Sequence, residues 1–555
     1  MQKMLIYQVF PRIFGNRNNT KKHRGSLAEN GCGKFDDFSA KALKAIKKLG
    51  TTHVWFTGVI EHATQTDYSS SGIKGSTPSV VKGIAGSPYA IRDYYDVDPD
   101  LATNVENRMQ EFESLISRTH AVGLKAIIDF VPNHVAREYY SDAKPSGVAD
   151  FGENDNTSWH FSAQNNFYYF PDNEFSPQFD KGNYEERPAK ATGNDCFSPS
   201  PNINDWYETV KLNYGVDYCG GGHKNFNPLP NTWLKMRDIL LFWASKGVDA
   251  FRCDMAEMVP VEFWHWAIAE VKKVFPEIIF IAEVYNPQQY RSYIHFGGFD
   301  FLYDKVGMYD TLRDVTCGYR SAFDITHAWQ NTDDVQCHML HFLENHDEQR
   351  IASDFFAKEA PKAFPAAMVS ALLTQAPFML YSGQEFGEQG MDSEGFSGKD
   401  GRSTIFDYWS LDCINRWRNE DGFNSKELLP REKTCLKFYT KLGKIAKEKA
   451  IAEGIMYDLM WLNTNNPNFD CSKQFAWIRK SEEETLLLVA NFSDKEENIK
   501  LNISAEAIKF LHIKEGAKNV TDLLSNKKII FNLSASTPVT IKLKPHYGVA
   551  LKWTE

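Results

Sequence analysis

Three carboxylic acids each stand at the end of a short apolar run, and they are the side chains of this protein best suited to chemistry. The runs cover residues 247–254, 277–283 and 339–347, and they end in Asp254, Glu283 and Asp347. An acid buried at a strand end is costly unless the fold uses it. In a (β/α)8 barrel, the catalytic groups lie at the carboxyl ends of the strands. Three acids from separate strands therefore predict one shared site, with a neutral polar substrate such as a sugar.

The residues around these acids suggest different tasks for two of them. Residues two apart on a strand face the same side, so Arg252 and Asp254 should both point into the barrel mouth, while Cys253 points back towards the helices. A neighbouring guanidinium lowers the pKa of Asp254 and favours the ionised form that a nucleophile needs. Glu283 follows an apolar run, a setting that suits a carboxyl holding a proton as a general acid. This division between two carboxyls is the one used in glycoside hydrolysis.

Strand-like runs alternate with amphipathic segments along most of the chain, which is the pattern of βα units. We predict strands at residues 5–10, 53–57, 125–131, 247–254, 277–283, 299–303, 339–347 and 377–382. Helices are predicted at residues 38–49, 105–122, 232–246, 261–274, 361–374 and 432–447. Eight strands in this order fit one closed (β/α)8 TIM barrel.

Two further regions accompany the barrel. Residues 135–230 follow the third strand and are rich in Asn, Asp, Pro, Gly and aromatic residues. A connection this long is usually functional, so we interpret it as an inserted subdomain that walls the cleft; the alternative is a disordered surface loop. From residue 453, short alternating strands predict a C-terminal antiparallel β-sandwich. The predicted domains are the barrel (1–134 and 231–452), the insertion (135–230) and the sandwich (453–555).

Composition limits the partners of this chain. Its 555 residues are 42% hydrophobic and 24% charged, which is ordinary for a globular protein with a large core. The net charge of -10 argues against a nucleic-acid partner, because phosphate contacts need clustered Lys and Arg. No run approaches the ~18 apolar residues of a membrane span. The oligomeric state is left open.

The cysteines bear on the compartment. The chain has nine, an odd number, and they are scattered without CxxC or zinc-binding spacing. Mostly free thiols are the expected state, which favours a reducing, cytoplasmic location. A periplasmic or secreted location remains open if a leader has been removed from the N-terminus.

Four short motifs resemble those of the α-amylase family. They are Asp129-Phe-Val-Pro-Asn-His134, Phe251-Arg-Cys-Asp254, Glu283 and Glu344-Asn-His-Asp347. They follow the family's order on predicted strands three, four, five and seven, and with the insertion and the sandwich the resemblance covers essentially the whole chain. It implies a retaining enzyme that acts on α-glucosidic bonds through a covalent glycosyl-enzyme intermediate.

The resemblance also implies individual roles. Asp254 would be the nucleophile, Glu283 the acid/base, and Asp347 the stabiliser of the distorted sugar. The side chains implied to hold the sugar in the −1 subsite are His134, Arg252 and His346. Asp129 is left as either a turn anchor or part of the site.

Two further positions match the family less completely. Tyr89 resembles the stacking tyrosine that follows strand two, although Ala90 stands where the family often has Asp. In many members the Asn of the strand-three motif, here Asn133, is a calcium ligand. Calcium needs six to eight oxygens, the other ligands cannot be placed, and position 258 is Met where several amylases have His. Calcium is therefore left open, and no organic cofactor is implied.

The substrate and the acceptor also stay open. A starch-like α-1,4-glucan or maltooligosaccharide is the first candidate. A glucanotransferase or an α-1,6-acting glucosidase would use the same residues, and endo or exo action is not determined. A non-catalytic carbohydrate-binding or interaction protein on this fold usually loses at least one of the acids, and this chain keeps all three. A phosphate-handling barrel enzyme is disfavoured because no Gly-rich loop follows strands seven or eight.

Overall fold

The computed structural model describes residues 3–554 and contains a barrel of eight parallel strands. The strands are β1 (Leu5–Val9), β2 (His53–Phe56), β3 (Lys125–Phe130), β4 (Ala250–Cys253), β5 (Ile279–Ala282), β6 (Phe301–Tyr303), β7 (Met339–Leu340) and β8 (Phe378–Tyr381). Each of β1 to β7 pairs with its neighbours in chain order, and β8 pairs with β1. A parallel bridge between His341 and Phe378 brings β7 beside β8, so the ring is nearly closed. The predicted TIM barrel is confirmed.

Helices between the strands form the outer layer. Those of seven or more residues are α1 (Ala40–Lys47), α2 (Arg108–Ala121), α3 (Asn231–Ser245), α4 (Val261–Val274), α5 (Asp310–Cys317), α6 (Asp324–Gln330), α7 (Phe364–Leu372), α8 (Asp412–Arg418) and α9 (Pro430–Ile445). Helix α4 has the predicted bounds, because its buried residues recur every three or four positions from Phe263 to Val271. Helices α5, α6 and α8, each of seven or eight residues, were not predicted.

Alternate residues of the strands pack into two separate apolar clusters, as the two-residue repeat of a strand requires. One fills the barrel interior and includes Ile6, Trp55, Ile127, Ala250 and Ile281. The other lies between the strands and the helices and includes Tyr7, Val54, Ile128, Phe251 and Cys253. The predicted outward orientation of Cys253 is thus confirmed.

An irregular region with short antiparallel ladders connects β3 to α3. The ladders join His134–Ala136 to Thr209–Lys211, Tyr169–Phe170 to Ala189–Lys190, and Val216–Asp217 to His223–Lys224. Its aromatic residues pack together, as shown by the rings of Tyr168 and Phe197, whose centroids lie 5.2 Å apart. The region is therefore a packed unit, and we keep its limits at residues 135–230 as a proposal.

The C-terminal region is an antiparallel β structure, as predicted. Its strands are β9 (Ile455–Asp458), β10 (Gln474–Lys480), β11 (Glu484–Asn491), β12 (Glu497–Leu501), β13 (Gly516–Asp522), β14 (Lys527–Leu533), β15 (Val539–Leu543) and β16 (Tyr547–Thr554). Six form one sheet in the order β9-β10-β11-β16-β13-β14, and β12 pairs with β15. Five of these strands, β10, β11, β14, β15 and β16, correspond to runs predicted at residues 475–479, 485–490, 528–532, 539–542 and 548–553, whereas β9, β12 and β13 were not predicted. The outer limits proposed for the domains, residues 1 and 555, lie outside the described residues.

Two expectations about the whole chain can also be compared with the structure. All nine cysteines are free thiols, as the sequence indicated. Within residues 3–554, no helix has the length and apolar character needed to cross a membrane.

Candidate active site

Asp254 and Glu283 each come one residue after a barrel strand, at the carboxyl ends of β4 and β5. The ladder continues past both strand ends: the Asp254 N–H donates to the Phe130 carbonyl (2.9 Å), and the Glu283 N–H donates to the Cys253 carbonyl (3.1 Å). Both side chains are buried. Their backbones are therefore held as a continuation of the sheet, and the two carboxyls enter the same opening.

The Arg252 guanidinium holds these two acids together. Its Nη1 lies 2.8 Å from Asp254 Oδ1, and its Nη2 lies 2.7 Å from Glu283 Oε2. Nη1 also lies 3.3 Å from Asp129 Oδ1. The guanidinium is buried, with aromatic ring centroids 5.2–5.5 Å away, those of Trp55, Tyr89 and Tyr303. The single positive charge of Arg252 therefore compensates only part of the negative charge of three buried carboxyls.

Burial outweighs Arg252 in setting the pKa of Asp254, although Arg252 lowers that pKa as expected. Burial raises the pKa of Asp254 well above its usual range, and this effect exceeds the lowering by Arg252. The negative charges of Glu283, Asp347 and Asp129 raise the pKa further. The sequence shows the Arg–Asp spacing but not the number of carboxyls that share the guanidinium.

Glu283 lies in a polar setting, and the apolar setting expected from its sequence is wrong. Its Oε2 accepts from the Met255 N–H (2.8 Å), and its Oε1 accepts from the Tyr285 hydroxyl (2.6 Å). Met255 has a left-handed backbone (φ 42°), which turns the chain immediately after Asp254. Tyr285 was missed, although the two-residue spacing applied to Arg252 would also have placed it beside Glu283.

Asp347 lies on a loop beyond β7. The strand predicted to reach it ends at Leu340, and the following turn is held by Asn345 Oδ1, which accepts from the N–H groups of Asp347 (2.9 Å) and Glu348 (2.8 Å). The Asp347 side chain is 42% exposed, and its Oδ2 lies 3.1 Å from His346 Nε2. This carboxylate is therefore open to a ligand in the cleft.

His346 contacts two other predicted positions, Tyr89 and Asp347. Its Nδ1 lies 2.8 Å from the Gln8 amide nitrogen, which leaves its Nε2–H to face Asp347 and the Tyr89 hydroxyl (2.5 Å). The Tyr89 ring stacks on the imidazole at 5.1 Å. Burial and then Arg252 lower the pKa of His346 to about 3, so the ring is neutral. Gln8 was missed; its place on β1, two residues after the inward-facing Ile6, could have indicated it.

His134 begins the short strand that follows β3 and is buried. Its ring hydrogen-bonds the Tyr89 backbone, and its centroid lies 5.3 Å from that of Trp206. Burial, followed by the charge of Lys211, lowers the pKa of His134 to about 3. The structure therefore places His134 beside the Tyr89 segment and next to a half-buried aromatic ring of the insertion.

The surroundings of Asn133 do not fit the implied calcium ion. Its Nδ2 donates to the Gly193 carbonyl (2.8 Å), and its Oδ1 accepts from the Lys211 ammonium. Across the described part of the chain, no group of three or more His, Cys, Asp or Glu side chains is arranged to hold a metal ion. We derive no step through a metal.

Comparison with known proteins shows which family the chain belongs to. A profile described as "Alpha amylase, catalytic domain" matches residues 8–454. The chain is 23% identical over 446 residues to Alpha-amylase 3 of Dictyoglomus thermophilum, covering 77% of this chain and 78% of that protein. It is 25% identical over 323 residues to an alpha-1,4-glucan:maltose-1-phosphate maltosyltransferase of Cereibacter sphaeroides, covering 55% of this chain and 43% of that protein. The fold is similar to that of a noncanonic maltogenic alpha-amylase, AmyB from Thermotoga neapolitana, with a TM-score of 0.63 and 19% identity over 100% of this chain and 99% of that one. The chain belongs to the α-amylase family, and its relatives include both amylases and glucan-acting transferases.

Proposed function

We propose that this chain is a retaining glycoside hydrolase that cleaves α-glucosidic bonds of starch-like α-1,4-glucans or maltooligosaccharides. The observation that carries the proposal is the bridge that Arg252 makes between Asp254 and Glu283. Retaining enzymes keep their two carboxyls about 5–5.5 Å apart, whereas inverting enzymes separate them by about 6.5–9.5 Å to admit a water molecule. Two carboxyls that pair with the two terminal nitrogens of one guanidinium lie close together, which favours the spacing of a retaining enzyme.

In the proposed reaction, Asp254 attacks the anomeric carbon while Glu283 gives its proton to the departing glycosidic oxygen. The carbon–oxygen bond to the leaving sugar breaks as the ester bond to Asp254 forms. Glu283, now ionised, then takes a proton from water, and the resulting attack releases Asp254 and a sugar of retained configuration. The contacts of Glu283 with the Met255 N–H and the Tyr285 hydroxyl keep its carboxyl in position for both steps.

The neighbouring side chains support binding of one sugar ring. The exposed carboxylate of Asp347 can accept hydrogen bonds from sugar hydroxyls, and neutral His346 is oriented towards the same place by Gln8. Hydrogen bonds to charged groups are stronger than those between neutral partners. Tyr89 offers its ring as an apolar surface beside His346.

Transfer to a sugar hydroxyl is the second candidate, because a maltosyltransferase is among the relatives of this chain. The two reactions share the glycosyl-enzyme ester on Asp254 and differ in the acceptor that attacks it. The same catalytic residues would also serve an α-1,6-acting glucosidase.

Product analysis on α-1,4, α-1,6 and cyclic glucans tests the proposal. We expect shorter α-1,4 products from starch and maltoheptaose, with the α-anomer formed first by proton NMR. Products longer than the substrate would favour transfer, and initial β-anomers would contradict the retaining mechanism.

Two variants test the roles of the acids on the same substrates. Asp254→Asn and Glu283→Gln should each lower kcat by roughly three or more orders of magnitude while KM changes little, because binding outside the reacting bond persists. Asp36→Asn, at an exposed carboxylate, is the control. Near wild-type kcat in a variant whose circular dichroism shows it folded would refute the role assigned to that acid.

A further inference from the structure

Lys211 is a buried lysine whose ammonium is surrounded by oxygens. The residue is 2% exposed, and Nζ lies 2.7 Å from Asp195 Oδ1 and 3.2 Å from the Met258 carbonyl oxygen. It also donates to Asn133 Oδ1. The ring of Tyr218 covers another side, with its centroid 5.6 Å from Nζ. Lys211 was not predicted to be a site residue, because it lies in an irregular region where no period predicts burial.

The three oxygens come from three separate parts of the chain. Asn133 follows β3, Met258 lies in the loop after Asp254, and Asp195 belongs to the insertion. Lys211 itself stands opposite His134 in the ladder that joins the insertion to the barrel. The ammonium therefore connects the insertion to two loops that carry proposed active-site residues.

The chemistry of this cage suits a monovalent ammonium. A lysine has three N–H donors and no acceptor, and here three oxygens face it. Only one of those oxygens belongs to a carboxylate, so the cage offers one negative charge. Calcium is held by six to eight oxygens with several carboxylates among them. A buried charge without partners would be costly, and this one has an ion pair and two further acceptors.

We propose that the Lys211 ammonium is the structural cation of this junction, in the place where the family resemblance implies calcium. The insertion is then held against the barrel by a covalently attached cation, and no divalent metal is needed there. Lys211 contacts Asn133 and the Met258 carbonyl, which lie in the segments that also carry His134 and Asp254. The inference is independent of the bond that the enzyme cleaves.

The first test uses the full-length protein and calcium alone. We expect the same Tm by scanning calorimetry after dialysis against EDTA and after addition of 5 mM CaCl2 (about 5 mM exceeds the Kd of most protein calcium sites). A rise in Tm with CaCl2 that Asp195→Asn abolishes would overturn the proposal, since it would place calcium in this cage. A rise of equal size in the wild type and in Asp195→Asn would place calcium elsewhere and leave the cage to Lys211.

The second test asks whether Lys211 and Asp195 act as a pair. Lys211→Met keeps most of the side-chain length and removes the charge, so we expect a lower Tm, while Lys224→Met, at an exposed lysine of the same insertion, should change it little. The decisive comparison is Asp195→Asn in both backgrounds. Its effect should largely vanish in Lys211→Met if the ammonium is its partner. Fully additive losses, or a Lys211→Met protein as stable as Lys224→Met, would overturn the proposal; if Lys211→Met does not fold, the calcium test still decides.

Discussion

At the scale of single residues, burial and the charges around Asp254 determine how the site responds to pH. Asp254 must be ionised to act as a nucleophile, and its pKa is raised because burial and three neighbouring carboxyls outweigh Arg252. Protonation on the acid side therefore begins at a higher pH than for an ordinary aspartate. We expect kcat/KM to fall on the acid side with an apparent pKa above about 4, the usual value for Asp.

A substitution of Arg252 tests the direction of this pH dependence. Lys cannot bridge two carboxyls as a guanidinium can, and Arg252 is the group that lowers the pKa of Asp254. Arg252→Lys should therefore move the acid limb of kcat/KM to higher pH, as measured on maltoheptaose between about pH 3.5 and 9. Arg17→Lys, at an exposed ion pair, should leave the profile unchanged. An acid limb that stays in place or shifts to lower pH would contradict the assigned electrostatics.

The residues of the site differed in how far their contacts could be predicted. Arg252 and Asp254 are two apart on one strand, so their contact followed from local geometry. Lys211 reaches the site region only because the insertion is paired with the segment after β3, and its neighbours in sequence carry no sign of this contact. The raised pKa of Asp254 has the same origin, since it depends on burial and on acids that other strands and loops bring close.

At the scale of elements, Asp129 holds the ends of three neighbouring strands. Its Oδ2 accepts from Trp55 Nε1 (3.0 Å) and from the Gly58 N–H (3.3 Å), while Oδ1 faces Arg252. The carboxyl is buried, and its pKa is raised to about 6 by that burial. Asp129 therefore contacts both the turn after β2 and the guanidinium that pairs with the acids, and its part in the reaction stays a prediction.

Removal of Asp129 should destabilise the barrel mouth. Asp129→Ala leaves two buried N–H donors without their acceptor and reduces the charge compensation of Arg252, so we expect a loss of about 2–5 kcal/mol in the free energy of unfolding. Urea unfolding followed by tryptophan fluorescence measures it. Asp36→Ala, at an exposed carboxylate, is the matched control. Equal stability of the two variants would show that these contacts contribute nothing measurable.

The bounds of a helix could be predicted where its apolar residues repeat regularly over several turns. Helix α4 has five buried residues in register and was predicted at its observed bounds. Strand β7 has only two paired residues, and the apolar letters after it belong to a turn held by side-chain contacts of Asn345. An apolar run alone cannot distinguish a short strand from the turn that follows it, which is why the predicted strand was too long.

At the scale of the whole molecule, the C-terminal sheet completes one end of a barrel helix. Helix α7 is buried along its entire length. The carbonyls near its C-terminus accept from Trp477 Nε1 (Leu372, 3.3 Å), Arg479 Nη1 (Leu373, 3.2 Å) and Lys3 Nζ (Ala371, 2.7 Å). Positive groups at this end of a helix also complement its dipole. The barrel and the C-terminal sandwich were predicted as separate domains. The contacts between them could not be predicted, because they join residues that are far apart in the sequence.

The barrel and the C-terminal sheet should therefore unfold together, and Arg479 on β10 is the residue that tests this. Its buried guanidinium also donates to the carbonyls of Ile451 (2.8 Å) and Gly454 (2.6 Å), so Arg479→Met leaves several acceptors unpaired at the junction. We expect one calorimetric transition in the wild type, and in Arg479→Met a loss of about 3 kcal/mol or more, with the transition lowered or split in two. Lys500→Met, at an exposed lysine of the same region, should leave the single transition unchanged. An Arg479→Met protein that matches this control would mean that the sheet is held by apolar contact alone and that the cations at the end of α7 do not couple the two parts.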